Sequence, residues 1–227
     1  MVLRAKTRDR ILEASLELFN AQGERNVTTN HIAAHLGISP GNLYYHFPNK
    51  PAIVAELFVH YEARVDQFLR LPRERPMQMQ DKAAYLEALL GAIWDYRFLH
   101  RDLEGLLAAN PELAQRYQAF ASCCLLHARA IYQGFIDAGI LLMDQAQAEA
   151  LALNAWIVLT SWVRFLGTLG ASSGPLDQAH FRRGIYQVLA LESAFVAPDA
   201  RDAVNALQQR YYVALDQLPR TPGTGNA

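Results

Sequence analysis

The sequence predicts an all-α protein built as a small N-terminal three-helix domain followed by a larger helical domain. Three observations carry this. Apolar residues recur at three- and four-residue intervals along most of the 227 residues, and the two-residue alternation of strands is nearly absent. Breaks between the later periodic segments fall at Asn110-Pro111, Gly139, "GASSGP" and Ala197-Pro198. Hydrophobic residues make up 52% and charged residues 19%, enough apolar surface for a sizeable core and too little charge for a disordered chain.

The first helix is expected over about 7–22, with Ile11, Ala14, Ser15, Leu18 and Phe19 on one face and Gly23 as its C-cap. In "NVTTNHIAAHLG" Thr28 is an N-cap, Ile32 and Leu36 lie four apart, and Gly37 closes the helix. "ISPGNLYYHF" forms a second short helix from Ser39 or Pro40, since proline is tolerated where the first-turn N–H has no partner. A long helix opens at Asn49 or Lys50 and reaches about Leu71, with Ile53, Val54, Leu57, Phe58, Tyr61, Val65 and Phe68 as its stripe. "LPRERPMQMQ", residues 71–80, reads as a linker. Further helices are expected at 81–100, 102–109, 111–138, 144–169, 175–196 and 198–217. "GASSGP" at 170–175 is a connector, and 218–227 is expected to be disordered. The domains so drawn are 1–50, joined by the helix to 71, and 81–217.

Two short helices joined by "LGIS" form a helix-turn-helix, which sends its second helix into the major groove of DNA. Leu43 and Phe47, four apart, pin that helix to the core. Ser39, Asn42, Tyr45 and His46 then project outward, and Pro40 and Gly41 keep the approach slim. A tyrosine hydroxyl bonds phosphate while its ring packs on sugar or a thymine methyl. Charge agrees in sign: residues 1–50 hold six Lys or Arg against four acids, and the rest hold 15 against 18. Four of the six basic residues lie in the first ten positions, where a flexible arm would be.

"RILEASLELFNAQGERNVTTNHIAAHLGISPGNLYYHFPNKPAIV", residues 10–54, resembles the tetracycline-repressor (TetR) family of bacterial transcriptional regulators. The shared run is a helix ending in Phe-x-x-x-Gly, then "TT…IA…LGIS", "LYYHF" and a lysine opening the next helix. "WDYRFLHRDLEGLLAANPELAQRY" looks like one variant of the family's ligand domain. The resemblance implies phosphate contacts from Thr28, Thr29, Tyr44, His46 and Lys50. It places Ser39, Pro40, Gly41, Asn42 and Tyr45 on bases, with Asn30 as a further contact. Lys50 is set there because a cation at a helix N-terminus is disfavoured by the dipole unless an anion meets it.

The resemblance also implies a ligand pocket in the C-terminal domain. Its expected lining is Trp94, Phe98, Tyr117, Phe120 and Trp156, with His127 and Arg164 as polar anchors and Arg97 or Asn154 in reserve. The helices at 81–100, 111–138 and 144–169 would bound it. A homodimer is implied through 144–169 and 175–196, with Trp156 or Leu159 in the seam. The expected function is therefore a regulator of transcription, a repressor leaving a palindromic operator when a hydrophobic or amphipathic molecule binds. Its rival is a DNA-bound interaction protein of the same fold without a pocket.

No cluster of acid, base and nucleophile points to an enzyme, and no cofactor is expected. His31 and His35 are spaced for a metal, but no third ligand stands near and none is expected. No apolar h-region opens the chain. The run "ALALNAWIVLTSWVRFLGTLG" is interrupted by Asn154, Thr160, Ser161 and Arg164, which favours a buried helix over a membrane span. The adjacent Cys123 and Cys124 cannot pair with each other and suit the reducing cytoplasm.

Overall fold

The structure is a computed structural model that describes residues 7–72, 74–170 and 178–218. Arg4 and Lys6 of the expected arm, residues 171–175 of the expected connector and the expected tail from 219 lie outside the described residues. The described residues form helices and turns, with no strand among them. The chain divides into two units, residues up to Arg64 with 95–118, and residues 65–94 with 119 onward.

The first unit contains α1 (Thr7–Gln22), α2 (Thr29–Leu36), α3 (Pro40–His46), most of α4 (Lys50–Phe68), α6 (Arg97–Arg101), α7 (Leu103–Ala109) and the start of α8 (Pro111–Asp137). Its core joins Ile11 and Phe19 of α1, Ile32 of α2, Leu43 of α3, and Ile53, Leu57, Phe58 and Tyr61 of α4, all essentially inaccessible to water. Residues 95–118, read from the sequence as part of the second domain, pack in this unit instead. The Asn20 side chain donates to the Asp95 carbonyl at 2.7 Å and accepts from the Phe98 N–H at 3.1 Å. Phe98 packs on Phe19, Arg101 donates to the Phe19 carbonyl at 2.6 Å, and the Glu24 N–H donates to Asp102 at 3.1 Å. Sequence periodicity ran 81–100 together; the chain leaves the helix at Tyr96 and begins a new one.

The second unit contains α5 (Met79–Asp95, to Trp94), the rest of α8, α9 (Gln145–Gly170), α10 (Gln178–Glu192) and α11 (Arg201–Gln209). One core cluster gathers Ile93 of α5, Leu159, Val163 and Leu166 of α9, and Phe181, Ile185 and Leu189 of α10. α9 and α10 approach closely because α10 carries Gly184, where a Cβ would meet the Trp162 ring at 3.1 Å. The Trp162 indole N–H donates to the His180 carbonyl at 3.1 Å. A second cluster surrounds Tyr132, Phe135, Leu141, Leu151, Val196 and Val204. There Leu142 and Ala197 donate across an isolated antiparallel bridge, Leu141 to Val196, at 2.7 and 3.0 Å.

Two further expectations change. The single helix read over 198–217 is α11 alone. The chain then turns, and Tyr211 and Leu218 are buried in the first cluster. The linker at 71–80 is anchored at its end. Met77 is buried, and the Arg75 guanidinium holds both Asp81 carboxylate oxygens, at 2.6 and 2.7 Å.

Candidate nucleic-acid interface and ligand cavity

α2 and α3 owe their short lengths to their caps. Thr28 precedes α2 and accepts the His31 N–H on its hydroxyl at 3.2 Å, while the His31 ring accepts the Thr28 N–H at 3.4 Å. This reciprocal box satisfies two otherwise orphan donors. It gives His31 a structural role at the start of α2. Gly37 ends α2 in the left-handed region at φ 65°, a conformation that favours glycine. Ser39 caps α3 by accepting the Asn42 N–H at 3.2 Å, and Pro40 occupies the first turn.

Leu43 and Phe47 are both buried beneath α3. Fixing these two apolar points leaves Pro40, Gly41, Asn42, Tyr44 and Tyr45 exposed, with Tyr45 85% accessible. Thr28 and Asn30 are exposed beside them, and Thr29 and His46 are half-buried. The hydroxyls of Thr29 and Tyr44 are bonded at 2.9 Å, so the start of α2 is tied to α3. Tyr45 and His46 meet edge to face, with centroids 5.1 Å apart. Ten of the eleven residues expected to touch DNA thus lie on or beside α2 and α3.

Lys50 stands apart from them. Its ammonium turns inward to the carbonyls of Glu24 and Val27 at 2.9 and 3.0 Å and to the Glu24 carboxylate at 2.8 Å. The reasoning that only a phosphate could explain a lysine there is overturned. The cation answers the carbonyls of the turn at Glu24–Asn26 and their neighbouring carboxylate, partners distant in sequence. Arg8, assigned to the arm, is likewise fixed. It lies 4.6 Å from the Phe47 ring centroid and pairs with Glu56 at 2.5 Å. That hydrogen bond holds the Glu56 carboxyl below the usual range against an opposing effect of burial, and raises the Arg8 guanidinium.

In the second unit lies a half-open cavity of about 80 Å³. Leu86 and Leu89 of α5, Ile131 and Phe135 of α8, Leu159 of α9 and Val188 of α10 give it apolar walls. Of the residues expected in a pocket, Trp156 lines it. The other six do not. Trp94 packs on Phe181, 4.9 Å between centroids, and borders a separate recess. Phe98 and Tyr117 belong to the first unit, where Tyr117 stacks beside Phe58. Phe120 is not among the lining residues; its ring centroid lies 6.1 Å from that of Trp156. His127 lies within 3.8 Å of the Cys123 sulfur along α8. Arg164 is exposed on α9, as is Asn154, because the rotation of α9 turns both away from the core. Arg97 is in the first unit.

Sequence reasoning missed the polar wall. Lys82 and Glu192 form an ion pair whose side chains are 4% and 2% accessible, and Tyr132 donates to the other Glu192 oxygen at 2.5 Å. Burial, followed by the Glu192 charge, pushes the Tyr132 hydroxyl well above its ordinary value. All three residues line the cavity, as does Tyr85, whose hydroxyl donates to the Arg70 carbonyl at 2.5 Å. A signal existed. Lys82 falls in phase with Met79, Leu86 and Ile93, and Glu192 with Phe181, Ile185 and Val188, so each charge sits on an apolar stripe.

Residues 60–204 match the model of a bacterial transcriptional repressor family, TetR, and residues 11–57 match that of the bacterial regulatory proteins of the tetR family. The chain belongs to the TetR family. It is similar to the crystal structure of a TetR-family transcriptional regulator from Marinobacter aquaeolei VT8, at 47% identity over 92% of this chain and 100% of that one, with a TM-score of 0.86. It is 35% identical over 68 residues to the HTH-type transcriptional regulator UidR of Escherichia coli K12, covering 30% of this chain and 35% of UidR. It is 40% identical over 57 residues to the class D tetracycline repressor of Escherichia coli, covering 25% of this chain and 26% of that repressor. The match thus spans about a third of UidR. TetR-family regulators bind DNA and small molecules and form dimers.

Proposed function

We propose that this protein is a homodimeric repressor that binds a palindromic operator through α3 and leaves it when a small hydrophobic or amphipathic molecule fills the cavity of the second unit. The observation that carries the DNA half is the α3 surface, five exposed residues over two buried anchors. Asn42 and Tyr45 read bases. Tyr44 and Thr29, linked to each other, take backbone phosphates, as do Thr28 and His46. Ser39, Pro40, Gly41 and Asn30 complete the surface. Lys50 supports the turn behind α2 and grips no phosphate.

The effector half rests on the apolar cavity, the feature that an interaction protein without a pocket would lack. Its walls exclude a sugar or nucleotide, whose many polar groups would lose water without replacement.

Dimerisation rests on α9. Its outer side carries Leu153, Ile157 and Phe165, between 44% and 51% accessible, interleaved with Asn154, Ser161 and Arg164. Trp156 and Leu159, expected in the seam, face inward instead. Residues 145–169 are long and apolar enough to cross a membrane, with a third of the most apolar stretch buried. An arginine and an asparagine on the outer side suit a wet protein seam better than hydrocarbon. The reading places the dimer in the cytoplasm.

The test is titration of the purified protein against DNA flanking its own gene, with and without candidate effectors. Coupling of roughly 1–3 kcal/mol weakens operator affinity about 5- to 150-fold, and operator weakens effector binding by the same factor. An effector whose affinity ignores operator refutes this reading.

A further inference from the structure

The Lys82–Glu192–Tyr132 group is the polar end of an otherwise apolar cavity, and its hydrogen-bond accounting is uneven. Each Glu192 oxygen accepts one hydrogen bond, Oε2 from Lys82 and Oε1 from the Tyr132 hydroxyl. The Tyr85 hydroxyl proton is also occupied, by the Arg70 carbonyl. The Lys82 ammonium has three N–H donors and meets one oxygen acceptor among the described residues. Its remaining surroundings are the rings of Phe135 and Tyr132, with centroids 4.6 and 5.5 Å away. Rings attract the charge without accepting a full hydrogen bond. Two strong donors are therefore open in a wall of the cavity, and a buried cationic donor without an acceptor is costly.

Charge restricts what can meet them. The ion pair is already neutral as a unit. A carboxylate added beside it would put two anions on one ammonium, and an amine would put two cations on one carboxylate. Either leaves an uncompensated charge out of water. An uncharged oxygen acceptor, a ketone, ester, lactone or amide carbonyl, takes the open N–H groups and leaves Glu192 where it is. We propose that the effector is an uncharged hydrophobic molecule ending in a carbonyl oxygen, received by the ammonium of Lys82. This rests on the cavity being the effector site.

The experiment titrates the full-length protein with four probes of one chain length, octan-2-one, octanoate, octylamine and octane, followed through the fluorescence of its tryptophans, among them cavity-lining Trp156. The protein is wild type and the double variant Lys82→Met/Glu192→Leu, which replaces both charges together and keeps the fold, as a melting curve checks. Octan-2-one binds wild type roughly tenfold or more tighter than the other three, and the variant loses its preference for octan-2-one over octane while still binding octane. Octanoate or octylamine binding as tightly as the ketone overturns the inference and leaves the cavity as an effector site of another class. A ketone preference that survives in the variant overturns the role of Lys82. If none of the four binds, the cavity is no ligand site and the effector reading falls with the inference.

Discussion

Replacing Lys50 by methionine separates a lysine that supports the fold from one that grips DNA. Methionine keeps most of the aliphatic stem and removes the ammonium, which holds two carbonyls and a carboxylate at 2.8–3.0 Å. A hydrogen bond to a charged group is worth roughly 1.5–3 kcal/mol. The three do not add, because the Lys50 side chain is 25% accessible and water can reach part of the vacated shell. A net loss of about 2–3 kcal/mol follows, or roughly 4–12 °C in Tm for a chain of this length. The loss is local. It falls on the turn at Glu24–Asn26 and on the entry to α2, so amide exchange there quickens while α9 and α10 keep their protection. Measured below the lowered Tm, the slope of log affinity against log salt is unchanged. A variant that melts like wild type, with a salt slope smaller by roughly one, would falsify the structural role and return Lys50 to the phosphate backbone.

Asn42→Ala and Tyr45→Ala each change the sequences bound in a selection experiment, by ~1–3 kcal/mol per lost base contact, without moving Tm. Unaltered selectivity removes that residue from the readout. Ile157→Glu with Leu153→Glu gives monomers in light scattering, since both lie on the outer side of α9, and a persistent dimer refutes the assigned seam. Acid destabilises the first unit through Glu56. Its folded carboxyl is held low by Arg8, so the contribution is present above the ordinary glutamate range, about 4.3, and is lost as pH falls through the lower folded value. Arg8→Ala removes that dependence, and a Glu56 titration by NMR that is indifferent to the variant contradicts it. Gly37→Ala places a side chain at φ 65° and costs about 1 kcal/mol through strain alone, as no atom lies within 4 Å of the added carbon. An unchanged melting curve would show that the turn relaxes.

The helix-turn-helix was legible because its determinants are local. Thr28, Gly37, Ser39 and Pro40 set helix ends through their nearest neighbours, and the spacing of Leu43 and Phe47 decides which side of α3 is buried. The cavity was not legible in the same way. Aromatic residues at helical spacing look alike whether they fill a core, as Phe98 does, or border a void, as Trp156 does. The difference depends on which helices meet, and Lys82 and Glu192 are 110 residues apart. The inward partners of Lys50 were hidden for the same reason. Its local setting at a helix start suggested an anion outside, while its acceptors lie 23 and 26 residues back in the chain.

The first unit is written in two stretches of sequence, and this limits how evolution or an engineer can trade it. A chimaera joined after Arg64 would carry α1 to α3 and most of α4 but not their counterparts in 95–118. Asn20 would lose its backbone partners at Asp95 and Phe98. The Tyr61 hydroxyl would lose the His100 ring, now 3.0 Å away. The first unit is therefore not a cassette with one cut site. A recombinant that exchanges the unit intact needs joints near 64, 95 and 118.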